Sequence, residues 1–312
     1  MRAHALHAGL LGLVLTPALG QQPEPVAEPA LAVVVETLVA ELEGGAGGLE
    51  VDAAGFVYCA DFGSRLGPGS TGGGRVYRLD PETGEAQLFA EGLRGASGNA
   101  IGPDGAFFQS NIAASTISRI GPDGTVSTFL GENLRQPVGI AIDAEGLLFV
   151  ASCGANTITE VLPDGSSSIL ATSPLFACPN GITLDDVHNL YVTNFGNGDV
   201  LKVTPLGEVS RLATLPGKNN GHLVHHAGQL YVVARGAHQI FKVSLAGQVE
   251  LFAGSGARGH TNGPAVEASF SFPNDLAFSP DGQTLYVNEN ASTTEPSGVL
   301  APMTVRRLRI SD

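Results

Sequence analysis

The chain contains the stretch PNGITLDDVHNLYVTN at residues 179–194, which reads as a Pro-Asn-Gly triplet, a short apolar strand, a polar turn and a second strand ending in Asn. Related stretches occur five more times. The third triplet positions are Gly48, Gly98, Gly139, Gly181, Gly221 and Asp275, with spacings of 50, 41, 42, 40 and 54 residues. A strand-rich repeat of this length is typical of one four-stranded propeller blade. The sequence therefore predicts an all-β, six-bladed β-propeller.

The two ends of the chain indicate how the propeller closes. Leu38, in the apolar run of residues 33–39, precedes the first triplet glycine by 10 residues, as Leu88 precedes Gly98. This spacing marks the run as an outermost strand, strand d, without a blade of its own. The last copy has a third strand at residues 304–310 and no fourth. We expect the N-terminal strand to complete the last blade, which leaves no open sheet edge, in a propeller spanning residues 31–312.

Charge and the N-terminal segment limit the partners. The 16 basic and 30 acidic residues give a formal charge of −14, which disfavours binding to nucleic acid or to anionic membrane surfaces. Residues 1–20 have the charged, apolar and small-residue order of a secretory signal peptide, and the apolar part is too short for a membrane span. Residues 21–30 are predicted to be a flexible lead-in. We expect a secreted or periplasmic protein; the oligomeric state stays open.

The three cysteines fall at different places in the repeat. Cys59 lies inside strand b, the second strand of blade 1, and is predicted to be a buried apolar residue. Cys153 and Cys178 are predicted on one face, in neighbouring blades. An oxidising compartment favours a disulfide between them, but the spacing does not reveal the close Cα approach that a disulfide needs. The bridged and the free forms are therefore both open.

Long connections mark one sector of the propeller. From strand b to strand c, blades 2 to 5 use 6 residues each, whereas blade 1 uses 15 (61 to 76) and blade 6 uses 16 (289 to 305). The connection from strand d of blade 5 into blade 6 has 24 residues, from 251 to 275. All three lie on the same face. Long loops on a rigid scaffold often carry binding or catalysis, although loops also tolerate neutral insertions.

Two sets of positions are predicted to border the channel on that face. The middle triplet positions are Gly47, Ser97, Val138, Asn180, Asn220 and Asn274, and the ends of the strands b are Asp61, Asn111, Ser152, Asn194, Ala234 and Glu289. Amide and carboxylate oxygens suit a divalent cation, calcium above all, or a polar small-molecule ligand. We predict metal ligands at Asn180, Asn220, Asn274 and Glu289, and ligand-binding residues at Asn111, Asn194 and Asn220. Alternatively, each Asn closes a turn.

Four residues are the candidates for catalysis. Glu289 and Asp61 are the carboxylates of the second set, and each has the chemistry of a general base. His222 follows the blade 5 triplet and Arg235 follows strand b of that blade. Histidine transfers protons near neutral pH, and arginine holds a carboxylate or an oxyanion. The alternative for His222 and Arg235 is a hydrogen bond between blades.

The quoted motifs resemble a known superfamily. CPNGI at 178–182, FPND at 272–275 and LYVTN at 190–194 resemble the gluconolactonase and senescence-marker-protein superfamily, and AGSG at 253–256 is similar to part of an NHL repeat. The resemblance implies one divalent cation in the channel, held in lactonases by Glu, Asn and Asp at three triplets. Asn180 matches the Asn, whereas Gly47 and Asn220 replace the Glu and the Asp. Lactone or ester hydrolysis is the leading expectation, and a non-catalytic NHL-type binding module is the alternative.

Overall fold

The computed structural model describes residues 32–66, 73–296 and 298–311. These residues form 25 strands, β1 to β25 in chain order, and one short 3-10 turn at Arg235–Ala237. The predicted signal peptide and the lead-in, residues 1–20 and 21–30, lie outside the described residues. In the described part of the chain, no helix is long and apolar enough to cross a membrane.

The strands form six antiparallel sheets, and the innermost strand of each, called strand a, lies next to the channel. The first strand in the chain, β1 (Ala32–Leu42), belongs to the last sheet. Blade 1 contains β2 (Ala46–Val51), β3 (Val57–Asp61), β4 (Arg75–Leu79) and β5 (Ala86–Glu91). Blade 2 contains β6 (Ala96–Ile101), β7 (Phe107–Asn111), β8 (Thr116–Ile120) and β9 (Val126–Leu130). Blade 3 contains β10 (Pro137–Ile142), β11 (Leu148–Ser152), β12 (Thr157–Val161) and β13 (Ser167–Thr172). Blade 4 contains β14 (Pro179–Leu184), β15 (Leu190–Asn194), β16 (Asp199–Val203) and β17 (Val209–Thr214). Blade 5 contains β18 (Leu223–His226), β19 (Gln229–Ala234), β20 (Gln239–Ser244) and β21 (Val249–Ala253). Blade 6 contains β1 together with β22 (Gly263–Pro264), β23 (Asp275–Phe278), β24 (Thr284–Asn290) and β25 (Met303–Ser311). The predicted six-bladed β-propeller is confirmed.

The last blade is completed by the first strand, as predicted. β1 pairs antiparallel with β25, from Ala32 opposite Ser311 to Leu42 opposite Met303. The short strand β22, in the long connection into blade 6, pairs with the outer edge of β1. The N-terminal strand is therefore enclosed by β22 and β25, which removes its open edge.

The triplet glycines of blades 1 to 5 allow neighbouring innermost strands to approach one another around the channel. A Cβ atom built on Gly181 would lie 2.5 Å from the Cα of His222, and one on Gly139 would lie 2.2 Å from the carbonyl oxygen of Asn180. Both distances are far below van der Waals contact. The glycine in the repeated motif is thus required by close packing of neighbouring blades at the channel.

The structure contains a disulfide between Cys153 and Cys178, and so has the bridged form of the two alternatives. It joins the end of strand b in blade 3 to the connection that enters blade 4. Cys59 is a fully buried free cysteine in the core between blades, as predicted.

The long connections of blades 1 and 6 pair with each other. Arg65 forms an isolated antiparallel bridge with Val299, and the backbone N–H of Leu300 donates to the carbonyl of Ser64 at 2.9 Å. The connection into blade 6 instead supplies core residues, since Ala268 and Phe270 are fully buried between blades 5 and 6. One of the three insertions therefore builds the core, and the other two build the channel mouth.

Candidate functional site

A cavity of about 250 Å³ lies at the mouth of the channel, on the face that carries the long connections. The paired connections of blades 1 and 6 supply the apolar residues Phe62, Leu66 and Leu300. The Cys153–Cys178 disulfide lines another part of the wall. Four of the predicted site residues line this cavity: Asn180, His222, Arg235 and Asn274.

His222 is held deep in the channel, where it lines this cavity and a second chamber beyond it. It is 6% exposed, and its backbone N–H donates to the carbonyl of Asn274 at 2.8 Å. Its Nδ1 lies 3.4 Å from Oδ2 of Asp275. Burial lowers the pKa of His222 to about 4, which leaves the imidazole neutral near pH 7. A neutral imidazole can accept a proton from a bound molecule.

Arg235 places a buried positive charge at the same cavity. It is 2% exposed, and its guanidinium lies over the ring of Phe272, with 5.1 Å from Cζ to the ring centroid, and donates to the Phe272 carbonyl. Burial and the nearby Arg258 lower the pKa of Arg235 to about 9, so that the group remains a cation at neutral pH. Such a group attracts a carboxylate or a developing oxyanion.

Asn180 and Asn274 are oriented by the neighbouring blades. The Nδ2 atom of Asn180 donates to the carbonyl of Asn220, and that of Asn274 donates to the carbonyl of Gly47, each at 2.8 Å. With the nitrogen end of the amide fixed in this way, the Oδ1 atom is the end that remains for a ligand. These residues bridge blades and also line the cavity.

Asp61, Asn111 and Asn194 hold loops in place. Both carboxylate oxygens of Asp61 accept backbone N–H groups, those of Gly45, Gly63 and Gly73, at 2.8 to 3.0 Å. The Oδ1 atom of Asn111 accepts the backbone N–H of Arg94 at 3.2 Å, and that of Asn194 accepts the backbone N–H of Ala177 at 3.1 Å. The three side chains thus accept hydrogen bonds from backbone N–H groups in the connections between strands. None of the three lines the cavity.

Glu289 forms a buried ion pair behind the cavity wall. It is 0% exposed, and its Oε1 atom accepts from Nη1 of Arg306 at 2.7 Å. The same oxygen lies 3.0 Å from Nδ1 of His260, and Oε2 accepts the backbone N–H of Ser271. The hydrogen bond to Glu289 raises the pKa of His260. Glu289 is thus engaged on both oxygens and does not line the cavity.

The structure does not bring the four predicted metal ligands together. Asn180 and Asn274 line the cavity, whereas Glu289 does not, and Asn220 is fully buried with its Nδ2 atom 3.4 Å from the carbonyl of Asp199. Among the described residues that line the cavity there is no carboxylate, and Arg235 adds a positive charge. This donor set does not fit a divalent cation.

A group of residues that could hold a metal lies elsewhere. Asp143, Glu145 and His188 have ligand atoms within 4.8 Å of one another. They belong to the turns between strands a and b of blades 3 and 4, on the opposite face from the cavity. The predicted site on the channel mouth does not include any of them.

A second chamber of about 180 Å³ occupies the channel beyond His222. Besides His222, its polar lining includes Glu50, Asn99 and Asp275, which the sequence analysis did not select. Burial raises the pKa of Asp275 to about 8, and burial together with the charge of Asp275 raises the pKa of Glu50 to about 7.

A sequence signal for the chamber was present in the repeat. The residues directly after the six triplets are Leu49, Asn99, Ile140, Ile182, His222 and Leu276, of which only Asn99 and His222 are polar. Asp275 also stands where the other five triplets have Gly. Polar residues at positions that are otherwise apolar or glycine therefore indicate where the lining of the channel is polar.

Solved structures share this fold across nearly the whole chain. A streptogramin B lyase structure has a TM-score of 0.63 at 14% identity, covering 90% of this chain and 98% of that one. A gluconolactonase from Xanthomonas campestris has a TM-score of 0.68 at 15% identity, covering 89% of each chain. A catalytically inactive histidine-to-alanine variant of virginiamycin B lyase from Staphylococcus aureus, with quinupristin, has a TM-score of 0.60 at 16% identity, covering 89% and 99%.

The sequence itself matches one family. None of the curated proteins compared with the chain matches it. Residues 69–293, well over half of the chain, match the sequence model of the virginiamycin B lyase family. This match runs from the connection between β3 and β4 in blade 1 to the connection after β24 in blade 6, and so includes His222, Arg235 and the triplets of blades 2 to 6. The chain belongs to the virginiamycin B lyase family.

Proposed function

We propose that this protein is an enzyme that cleaves a lactone or ester bond in a small molecule held at the channel mouth, with His222 as the general base. The observation that carries the proposal is the position of His222, a buried, neutral histidine at a cavity that also holds Arg235. A cavity of about 250 Å³ is near the lower end of the range for ligand pockets, which favours a small substrate or one part of a larger ring.

The cavity residues have complementary chemical roles in this proposal. Neutral His222 accepts a proton, either from a water molecule that attacks the ester carbonyl in hydrolysis, or from the carbon next to the C–O carbon in an elimination that forms a C=C bond, breaks the alkyl C–O bond and releases the carboxylate. Both reactions place negative charge on oxygen atoms of the ester group, and the buried Arg235 cation stabilises that charge. The amides of Asn180 and Asn274 orient the substrate.

The relatives support bond cleavage rather than binding alone. Solved structures similar to this chain include lyases and a gluconolactonase, and one of them is a catalytically inactive histidine-to-alanine variant of virginiamycin B lyase. The inactivity of that histidine-to-alanine variant supports a histidine as the base, the role proposed here for His222.

We also propose that the protein is exported. This proposal rests on the charged, apolar and small-residue order of residues 1–20. The Cys153–Cys178 disulfide supports it, because disulfides persist mainly in oxidising compartments.

The test is incubation of the purified protein with a panel of small lactones, linear esters and cyclic depsipeptides, followed by mass spectrometry. Hydrolysis adds the mass of one water to the substrate, whereas elimination opens a ring without a change of mass. A Val138→Phe variant is the control, because Val138 lines the cavity and a larger side chain there occupies the substrate space. Ligands that bind without any product would contradict the proposal and favour a non-catalytic binding module.

A further inference from the structure

The buried His222 lies beside a carboxyl group that has no part in the proposed reaction so far. The Nδ1 atom of His222 is 3.4 Å from Oδ2 of Asp275, and both side chains are 8% exposed. Asp275 lines the second chamber but not the cavity at the channel mouth, whereas His222 lines both. Nδ1 is therefore the ring nitrogen on the chamber side, and Nε2 is the nitrogen that remains for a molecule bound at the mouth.

The carboxyl group of Asp275 is fixed in place by backbone groups. Its Oδ2 atom accepts the N–H of Leu49 at 2.9 Å, and its Oδ1 atom accepts the N–H of Leu276 at 2.7 Å. The N–H of Asp275 itself donates to Oδ1 of Asn288 at 2.9 Å. A carboxyl oxygen has two lone pairs, so Oδ2 can bind Leu49 and the imidazole together. A shift of a few tenths of an ångström brings the contact with His222 to hydrogen-bond length.

The imidazole ring is held from the other sides of the channel. A Cβ atom built on Gly98 of blade 2 would lie 3.0 Å from Cε1 of His222, so the ring packs against the backbone of that blade. The backbone of His222 is anchored as well, because its N–H donates to the carbonyl of Asn274 at 2.8 Å and its carbonyl accepts the N–H of Val233 at 3.0 Å. This packing disfavours a flip of the ring, and Nδ1 stays beside Asp275.

We propose that Asp275 positions His222 by selecting its tautomer, and so makes the base function of His222 depend on the protonation of Asp275. When Asp275 is ionised, Nδ1 carries the proton and donates to the carboxylate, which leaves the lone pair of Nε2 free to accept a proton. When Asp275 is protonated, its O–H donates to Nδ1, and Nε2 carries the proton instead. Only the first form is a general base towards the mouth. This role of Asp275 rests on the proposed function, in which His222 is the base.

The surroundings of the pair support a change of tautomer near neutral pH. Burial raises the pKa of Asp275 to about 8 and lowers the pKa of His222 to about 4, so that the proton leaves Asp275 as the pH rises through about 8. Other titratable groups near the pair are Arg235 at the mouth, Glu50 at the chamber, and the buried thiol of Cys59, which the charge of Asp275 affects. Among the described residues, Asp275 is the acid at Nδ1.

The test is nitrogen-15 NMR of histidine-labelled protein between about pH 6 and about pH 10, which shows the protonated nitrogen of each imidazole. The His222 signals are those that disappear in His222→Gln. The unmutated protein is expected to change from the Nε2–H to the Nδ1–H tautomer as the pH rises through about 8. In Asp275→Asn, which keeps the size of the side chain and cannot ionise, one tautomer is expected at every pH. Glu50→Gln removes the other acid of the chamber and is expected to keep the change.

The pH profile of kcat/KM for a cleaved lactone or ester is the second measurement. The unmutated protein and Glu50→Gln are expected to gain activity as the pH rises through about 8, because ionised Asp275 frees the lone pair of Nε2. Asp275→Asn is expected to lose this rise and to have at least about tenfold lower kcat/KM at about pH 9.

A single tautomer of His222 at every pH in the unmutated protein would overturn the role of Asp275, and this result needs no variant that folds. A change of tautomer that persists in folded Asp275→Asn would overturn it as well. A change of tautomer that Asp275→Asn abolishes, in a protein that cleaves no substrate, would support the role of Asp275 and count against the proposed reaction, so the two failures are distinguishable.

Discussion

At the scale of single residues, the clearest lesson concerns Glu289, whose position in the repeat made it a candidate ligand and base. In the structure its carboxylate is buried with Arg306, also 0% exposed, at 2.7 Å. A buried ion pair that loses one partner leaves an uncompensated charge in a medium of low dielectric constant. The role that the contacts favour for Glu289 is therefore to hold blade 6 together with its long connection.

Glu289→Gln is accordingly expected to lower the free energy of unfolding by about 3 kcal/mol or more, because Arg306 keeps its charge without a counter-ion. The control is Glu43→Gln, which breaks the exposed pair of Glu43 with Arg75, 2.6 Å apart, and is expected to change stability by less than about 1 kcal/mol. Urea unfolding of both variants measures the difference. Equal, small losses would argue against a structural role of Glu289.

His260 adds pH dependence to the same cluster. The pKa of His260 is raised in the folded protein by the hydrogen bond to Glu289. The stabilisation of the folded state by protonated His260 is therefore fully present below the unfolded pKa of about 6.5, and it is lost as the pH rises through the higher folded pKa. His260→Gln is thus expected to destabilise the protein more at about pH 5.5 than at about pH 9. Unfolding at both pH values tests this. A loss that does not change with pH would contradict the protonated pair.

At the scale of secondary-structure elements, the strands and their order followed from the repeat. The predicted outer strand at residues 33–39 lies within β1, and the predicted strand at 304–310 lies within β25. Spacing and alternation report on the backbone, and the backbone path of a propeller is set by its repeat. They do not report where a polar side chain at the end of a strand finds its partner, and for that reason Asp61, Asn111 and Asn194 could not be assigned from the sequence.

Deletion of residues 21–40 is expected to destabilise the whole domain, because it removes most of β1 together with Val35, which is fully buried in the core. Deletion of residues 21–30 removes no described residue and is the control. Thermal melting followed by circular dichroism measures both. An unchanged melting temperature after the longer deletion would contradict closure of the last blade by β1.

The disulfide gives a second prediction at this scale. Cys153 and Cys178 are separated by 25 residues, and the closure of a loop of this length stabilises the folded state by about 3.5 kcal/mol in the chain-entropy model. The double substitution of both cysteines by serine is expected to lower stability by roughly that amount. Denaturant unfolding of the oxidised protein and of the variant measures the loss. Three free thiols in the unreduced, denatured protein would show that the bridge does not form.

At the scale of the whole molecule, the sequence predicted the face that carries the candidate site better than it predicted the residues of that site. Two of the three long connections do form the channel mouth, and His222, Arg235, Asn180 and Asn274 do line one cavity. Glu50 and Asp275, the acidic residues of the deeper chamber, were not predicted because each is a single departure from the repeat. A pattern search that looks for common features passes over such positions. Only the ring of blades brings residues 50, 99 and 275 together.

The measurement that tests the central claim most directly is kcat/KM for a cleaved lactone or ester, compared between His222→Gln and Glu289→Gln under conditions where both remain folded. Loss of a general base is expected to lower kcat/KM by about 100-fold or more in His222→Gln. Glu289→Gln should retain nearly full activity in its folded form, because its side chain does not line the cavity. Full activity of His222→Gln, with loss of activity in folded Glu289→Gln, would contradict the site described here.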